Sequence, residues 1–329
     1  MSARDVHLSS PSPGAGLGVF MDMLSFRRPA WSTTEEAFIS RFLRPLEGME
    51  EDAFGNLLLC IAGPGGETPH ILWSSHTDTV HRAPGRQSVL RQGTMAVLRD
   101  TSEGRGGASN CLGADCASGV WLMREMILAR VPGLYVFHRD EENGGHGSAW
   151  IASNTPERLE NIRFAIALDR RGYSDVITHQ GGRTASDAFA ASLAGILGAR
   201  FQPDDTGLFT DTAMYAGLVG ECTNVSVGYF NAHGPREQQD LVFLAWLRDT
   251  LVSADFSGLT AERAPGAPED DLWGLDWRWE ESTAAPILES LDADSSFVRS
   301  HPEIVADFLE TCGVTMADLR AHAGYFDFC

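Results

Sequence analysis

HILWSSHTDTVH, residues 70–81, begins as an apolar run and ends in ionisable side chains. Ile71, Leu72 and Trp73 suit a strand buried on both faces, yet His76 and Asp78 close it. A core strand rejects such groups unless they are paired or bind something. Similar short apolar runs recur at NLLLCIAG (56–63), GLYVFHRD (133–140), RFAIALD (163–169) and TNVSVGY (223–229). Helical spacing lies between and after them, in ASGVWLMREMILAR (117–130), ASDAFAASLAGIL (185–197) and REQQDLVFLAWLRDTLVSA (236–254). A further helix is expected in WSTTEEAFISRFLRPL, where Thr33 and Glu36 form a capping-box pattern. Strands alternating with helices predict an α/β fold, a three-layer αβα arrangement around a mixed, mostly parallel sheet.

The chain has 329 residues, of which 43% are hydrophobic, enough for a full core. Its formal net charge of -20 argues against nucleic acid and anionic membrane surfaces as partners. No apolar run reaches the length of a membrane span, and the N-terminus lacks a signal-peptide pattern. Cys60, Cys111, Cys116, Cys222, Cys312 and Cys329 are scattered, which suits reduced thiols and a cytoplasmic location. Residues 1–18, rich in Ser, Pro and Gly, are expected to be a flexible N-terminus. Residues 19–255 form the expected catalytic domain. Residues 256–329 are expected to be a Pro/Gly/acidic linker and a small helical appendage, with Trp273, Trp277 and Trp279 docking it on the main domain.

Ionisable residues gather at the ends of the expected elements. His76 and Asp78 follow one strand. Asp115 sits in CLGADCASG before a helix. Asp140, Glu141 and Glu142 follow another strand, Asp169 a third, and His233 comes shortly after the last. In open α/β sheets, ligands bind at the carboxyl ends of the strands. So many carboxylates in one crevice repel each other unless cations intervene. Two imidazoles with three or four carboxylates suit a pair of divalent ions: zinc first, with cobalt or manganese as alternatives.

In this order the motifs resemble the co-catalytic dizinc exopeptidases, the M28/M20/M42 clan of aminopeptidases and carboxypeptidases. The matching elements are His76-Thr77-Asp78, Gly113-Ala114-Asp115, Asp140-Glu141-Glu142 with its trailing glycines, Asp169 and His233. DAFGNLLLCIAG (52–63) also matches the family's strand entry. The resemblance spans about residues 30–254 and implies the zinc exopeptidase (phosphorylase/hydrolase-like) fold. It implies that His76 and Asp169 hold one metal, that Glu142 and His233 hold the other, and that Asp115 bridges them. Asp78 would fix the His76 tautomer. Glu141 would be the general base, taking a proton from water and giving it to the leaving amine. The family's bridging aspartate is usually followed by a polar residue, often through a cis peptide; here Cys116 follows, a site of possible oxidation. The 64 residues between Asp169 and His233 are too few for the lid domain of the carboxypeptidase branch. That points to the single-domain aminopeptidases.

Other assignments stay open. His81 and His179 are alternatives to His233. Asp211 is read either as a pocket residue or as a helix N-cap. Tyr229 and Arg236, beside His233, are candidates for substrate binding. The substrate would be a small peptide or an N-acyl amino acid, and a homo-oligomer is compatible with the reading. An aminopeptidase leads. A carboxypeptidase or deacylase uses the same chemistry, and a non-catalytic peptide-binding relative is the reading from another class. A dinucleotide-binding oxidoreductase lacks its GxGxxG turn, and GGHG (144–147) lacks the residues of a phosphate loop.

Overall fold

Gly133–His138, Ile71–His76, Phe164–Arg170 and Glu221–Ser226 lie side by side, all parallel, at the centre of an eight-stranded sheet. Leu57–Ile61 and Glu50–Glu51 continue one edge antiparallel. On the other edge Asp175–Ile177 runs antiparallel to Glu221–Ser226, and Gln202–Asp204 runs parallel to Asp175–Ile177. The sheet is therefore mixed and mostly parallel. The structure, a computed structural model, describes residues 16–99 and 109–266.

The strand side chains alternate between two cores. Trp73, Tyr135, Phe137, Phe164, Ile166 and Leu168 enter the larger one, on the face covered by the helices Ala114–Leu128, Asp187–Leu197 and Leu241–Ser253. Leu72, Leu134, Val136 and Ala165 enter the smaller one, beneath the helix His146–Asn154 and the turns around Leu159 and Tyr215. Both faces are apolar, so these strands read in the sequence as continuous runs. A second, four-stranded antiparallel sheet joins Tyr229–Phe230, Gln238–Asp240, Met95–Leu98 and Val89–Gln92. It was not expected, because its strands are short and partly polar.

Three helix starts differ from expectation. The helix Thr33–Phe42 is capped by Ser32, whose hydroxyl accepts from the Glu35 amide, one residue before the expected box. The last helix begins at Leu241, where Asp240 caps it, because residues 238–240 are drawn into the second sheet. The central helix begins at Ala114, and its first turn is non-helical at Asp115 and Cys116, joined by a cis peptide bond.

That central helix is buried on nearly every side. Gly119 lets it sit close to the sheet: a Cβ there would lie 2.1 Å from the Leu168 carbonyl oxygen and 2.7 Å from Cys116 Sγ. Gly119→Ala should therefore cost roughly 1–3 kcal/mol through overpacking, despite alanine's better helix propensity. Equilibrium denaturation would check it; an unchanged or raised stability would contradict the close approach.

Residues 256–266 belong to the main body, although the sequence suggested that a linker begins there. Phe256 meets Trp73 edge-on at 5.1 Å. The backbone amides of Glu262 and Arg263 each donate to Glu221 Oε1 at 2.8 Å, and the Arg263 guanidinium reaches the carbonyls of Ala216 and Gly220. The rest of the expected appendage, with its three tryptophans, lies outside the described residues, as do residues 1–15.

Candidate metal centre

Three neighbouring parallel strands at the centre of the sheet deliver side chains at their carboxyl ends. His76 is the last residue of its strand, and Asp169 is the next-to-last of the adjacent one. Glu141 and Glu142 follow the strand on the other side within four residues. The fourth and fifth contributions do not come from strand ends. Asp115 sits on the first turn of the central helix, and His233 sits in the turn between two strands of the second sheet.

Asp115 stands between the two histidines. Its Oδ1 lies 3.1 Å from His76 Nε2, and its Oδ2 lies 3.2 Å from His233 Nε2. On the first side Asp169 Oδ1 is 3.5 Å and Glu141 Oε2 3.8 Å from His76 Nε2. On the second side Glu142 Oε2 is 3.4 Å from His233 Nε2. Two ligands on a tetrahedral zinc, each at its usual bond length, sit about 3.4 Å apart. The observed spacings match that figure on both sides.

Each of these groups is held from behind. Asp78, fully buried, lies 3.4 Å from His76 Nδ1 and also accepts from the backbone amides of Glu141 and Glu142, both at 3.2 Å. One carboxylate thus orients a histidine and the segment bearing two glutamates. Thr210 donates to Asp169 Oδ2 and Asn224 accepts from the Asp169 amide. Tyr229 Oη lies 3.2 Å from Asp115 Oδ2 and 2.7 Å from the Asp169 carbonyl oxygen. Tyr229 therefore buttresses the bridging aspartate as well as lining the cleft.

Some supporting residues carried no visible signal in the sequence. Glu237 is buried, and its carboxylate accepts from the amides of Leu112, Gly113, Ala114 and Asp115. Glu35 is buried below the His76 strand end, where it accepts from Thr77 Oγ1 at 2.6 Å and pairs with Arg139 at 2.8 Å. Neither belongs to a local motif, because each works through a partner more than 40 residues away.

Of the remaining candidates, Cys116 lies beside His76 and Asp169, and Asp211 is near enough to act on the charge of Glu141; the others sit elsewhere. Arg236 is exposed and does not line the cleft; its carbonyl accepts from Asn231 Nδ2. Asp211 neither lines the cleft nor caps its turn. It lies 3.1 Å from buried His138 Nδ1, whose other ring nitrogen meets Tyr215 Oη at 2.6 Å. His81 is neutral in its setting: burial, then Arg28, brings its pKa down to about 3, and Thr79, Gln87 and the Cys111 carbonyl surround the ring. His179 is engaged by Thr178 at 2.8 Å. Cys116 is fully buried against the Leu168 carbonyl, and burial followed by Asp169 pushes its thiol well above the usual range. A buried, protonated thiol is a poor target for oxidation, contrary to the sequence expectation.

The electrostatics are those of closely packed, buried like charges. Burial, reinforced by Glu142, Asp211 and Asp169, raises the Glu141 carboxyl well above the ordinary range. Burial and Asp115 push Glu142 up to about 8 and Asp169 up to about 6. Burial opposes charge on the histidines too. Even so, Asp115 and Glu142 lift His233 to about 10, and Glu141 and Asp169 raise His76. Burial also works against Asp115, yet its bonds to His233 and His76 hold it far below the usual carboxylate range. Glu142 Oε1 and Asp169 Oδ1 are buried without a hydrogen-bond partner, which is costly unless something else meets them. The nitrogen and oxygen donors, their spacing and these two oxygens fit a pair of divalent cations. His76, Cys116 and Asp169 form one close group, and Asp115, Glu142 and His233 another; on the sequence assignment His76 and Asp169 would hold one cation, Glu142 and His233 the other, with Asp115 between.

No family model matches the sequence, and no curated protein matches it significantly. The structure is similar to aminopeptidase PepT from Bacillus cereus, with 14% identity over 73% of this chain and 97% of that one, at a TM-score of 0.57. It is similar to a tripeptidase from Staphylococcus aureus, with 13% identity over 73% and 96%, at 0.59. It is also similar to an aminopeptidase from the archaeon Desulfurococcus kamchatkensis, with 16% identity over 73% and 94%, at 0.53. At these identities the likeness shows a shared α/β fold, with a mixed sheet between helical layers. No helix among the described residues is long and apolar enough to cross a membrane.

Proposed function

We propose that this chain is a metal-dependent exopeptidase, with an aminopeptidase as the leading form. The observation that carries the reading is the bridging posture of Asp115, one oxygen toward His76 and the other toward His233, with Asp169 and Glu142 on the respective sides. The fold shared with a PepT aminopeptidase, a tripeptidase and an archaeal aminopeptidase supports it.

Cations bound there would supply Lewis acidity and a lowered pKa for water. The chain's own residues do the rest. Glu141 lines the cleft, and its fixed amide leaves the carboxyl free to take the proton of the attacking water and pass it to the leaving amine. The Asp78 carboxylate, 3.4 Å from His76 Nδ1, favours the tautomer whose Nε2 faces the ligand position. The cleft measures about 410 Å³, a size for a few residues of peptide and not for a folded protein. Leu208 and Phe209, both exposed, give it an apolar wall for a side chain.

One feature favours the carboxypeptidase or deacylase form. Arg171 lines the same cleft, and a guanidinium suits a substrate carboxylate. Short peptides with free and acetylated N-termini, incubated with the metal-loaded protein and read by mass spectrometry, separate the forms. Stepwise loss of N-terminal residues from the free set alone is the expected result. Cleavage of the acetylated set would instead select the carboxypeptidase or deacylase form. Inertness of both sets, with cations bound, would favour the non-catalytic binding relative.

A further inference from the structure

We propose that Glu237 is a positioning residue that sets the metal position between Asp115 and His233 more strongly than the one between His76 and Asp169, which it reaches through Asp115 alone. The inference rests on the dimetal reading above.

Glu237 is 1% exposed, and both its oxygens are fully used. Oε2 accepts from the amides of Leu112 and Gly113 at 2.9 and 3.0 Å; Oε1 accepts from those of Ala114 and Asp115 at 2.8 and 3.1 Å. Amides at a helix start have no acceptor within the helix, and a carboxylate also suits the positive end of the helix dipole. Four charge-assisted bonds offset the burial of the carboxylate. They also tie down the backbone that carries Asp115.

Glu237 lies four residues after His233, and its amide closes their turn by donating to the Gly234 carbonyl at 3.0 Å. Two residues further on, Gln239 Oε1 accepts from Ser118 Oγ at 2.6 Å. The segment bearing His233 is thus laced to the segment bearing Asp115, and the 3.2 Å between their ligand atoms depends on that lacing. His76 and Asp169 need no such tie. Their strands are paired directly through the central sheet, in register from Ile71 with Phe164 to Ser74 with Ala167. Loss of Glu237 should loosen one metal position strongly and the other less, through Asp115 alone.

Glu237→Gln keeps the volume but turns an NH₂ group toward two of the four amide donors. Calorimetric titration with Zn²⁺ should find two equivalents in the wild type. In the variant one equivalent should fall by about 10–100-fold in affinity, the scale for supporting groups of metal ligands, while the other should lose clearly less. Titration with Co²⁺, followed by visible absorption, should show the same split independently of turnover. If Glu237→Gln fails to fold, Glu237→Asp retains the charge at a shorter reach and should show the same split to a smaller degree. Gln239→Ala, which removes the second tie between the two segments but leaves the four amides paired, should weaken the same equivalent to a smaller degree. Equal weakening of both equivalents by Glu237→Gln, or no weakening, would overturn the inference. A wild type that takes up neither ion would overturn the dimetal reading itself.

Discussion

Glu141→Gln is expected to lower kcat by about 10²–10⁴-fold, the range for loss of a general base, with two cations still taken up. The amide side chain keeps the shape of the glutamate, and the backbone amide that bonds Asp78 is unchanged. What disappears is the capacity to accept a proton. The effect should fall on kcat, with KM little altered, because Glu141 is proposed to act on the attacking water and the leaving group, not on the resting substrate. The pH profile gives a second readout. The Glu141 carboxyl is raised above its ordinary value by burial and by Glu142, Asp211 and Asp169. That shift belongs to the metal-free cluster, and bound cations oppose it; the base still works only when deprotonated, so wild-type kcat/KM should climb from the acid side toward a plateau. That limb should vanish in the variant. Steady-state rates on a free-amine peptide, with metal content measured on the same samples, check both. A variant that retains metal and stays within tenfold of wild-type kcat would remove Glu141 from the chemistry.

The fold was legible because burial on both faces leaves a plain signature. Gly133–His138 and Phe164–Arg170 are largely apolar runs and Ile71–His76 begins as one, each leading into ionisable residues that have no place in a core. The same contrast marked His76, Asp169 and the Glu141–Glu142 pair. Less legible were elements set by pairing instead of composition. Val89–Gln92 and Met95–Leu98 are half-exposed, and residues 238–240 joined a helical-looking stretch to the second sheet. Asp211 shows how a local pattern misleads: a carboxylate before a short turn resembles a cap, yet its partner, His138, is 73 positions earlier in the chain. Glu237 and Glu35 were hidden for the same reason. Their work is done across the fold, on backbone amides and hydroxyls whose positions no local window contains.

Stripping the cations with a chelator should abolish hydrolysis, and adding them back should release protons. The metal-free cluster holds protons where ligand atoms are required, with His233 at about 10 and Glu142 at about 8. At pH 7 both therefore carry a proton that must leave before nitrogen or oxygen can bind a metal. The sign follows directly: protons compete with the cation, so affinity weakens as pH falls. With two groups titrating, the affinity at the position of His233 and Glu142 should drop by up to about 100-fold per pH unit across neutrality. The other position should also weaken as pH falls through neutrality, because His76 too is held protonated without metal, and Asp169 adds to the loss below pH 6. Calorimetry in buffers of different ionisation enthalpy would count the protons released, and the same titrations at pH 6, 7 and 8 would give the slope. Bound metal should also raise the melting temperature, since a ligand at a thousandfold excess over its Kd stabilises the native state by about 4 kcal/mol. Hydrolysis that survives complete chelation, or metal uptake that ignores pH, would mean that these carboxylates and imidazoles are not the ligands, and that the close approach of Asp115 to two histidines serves packing alone.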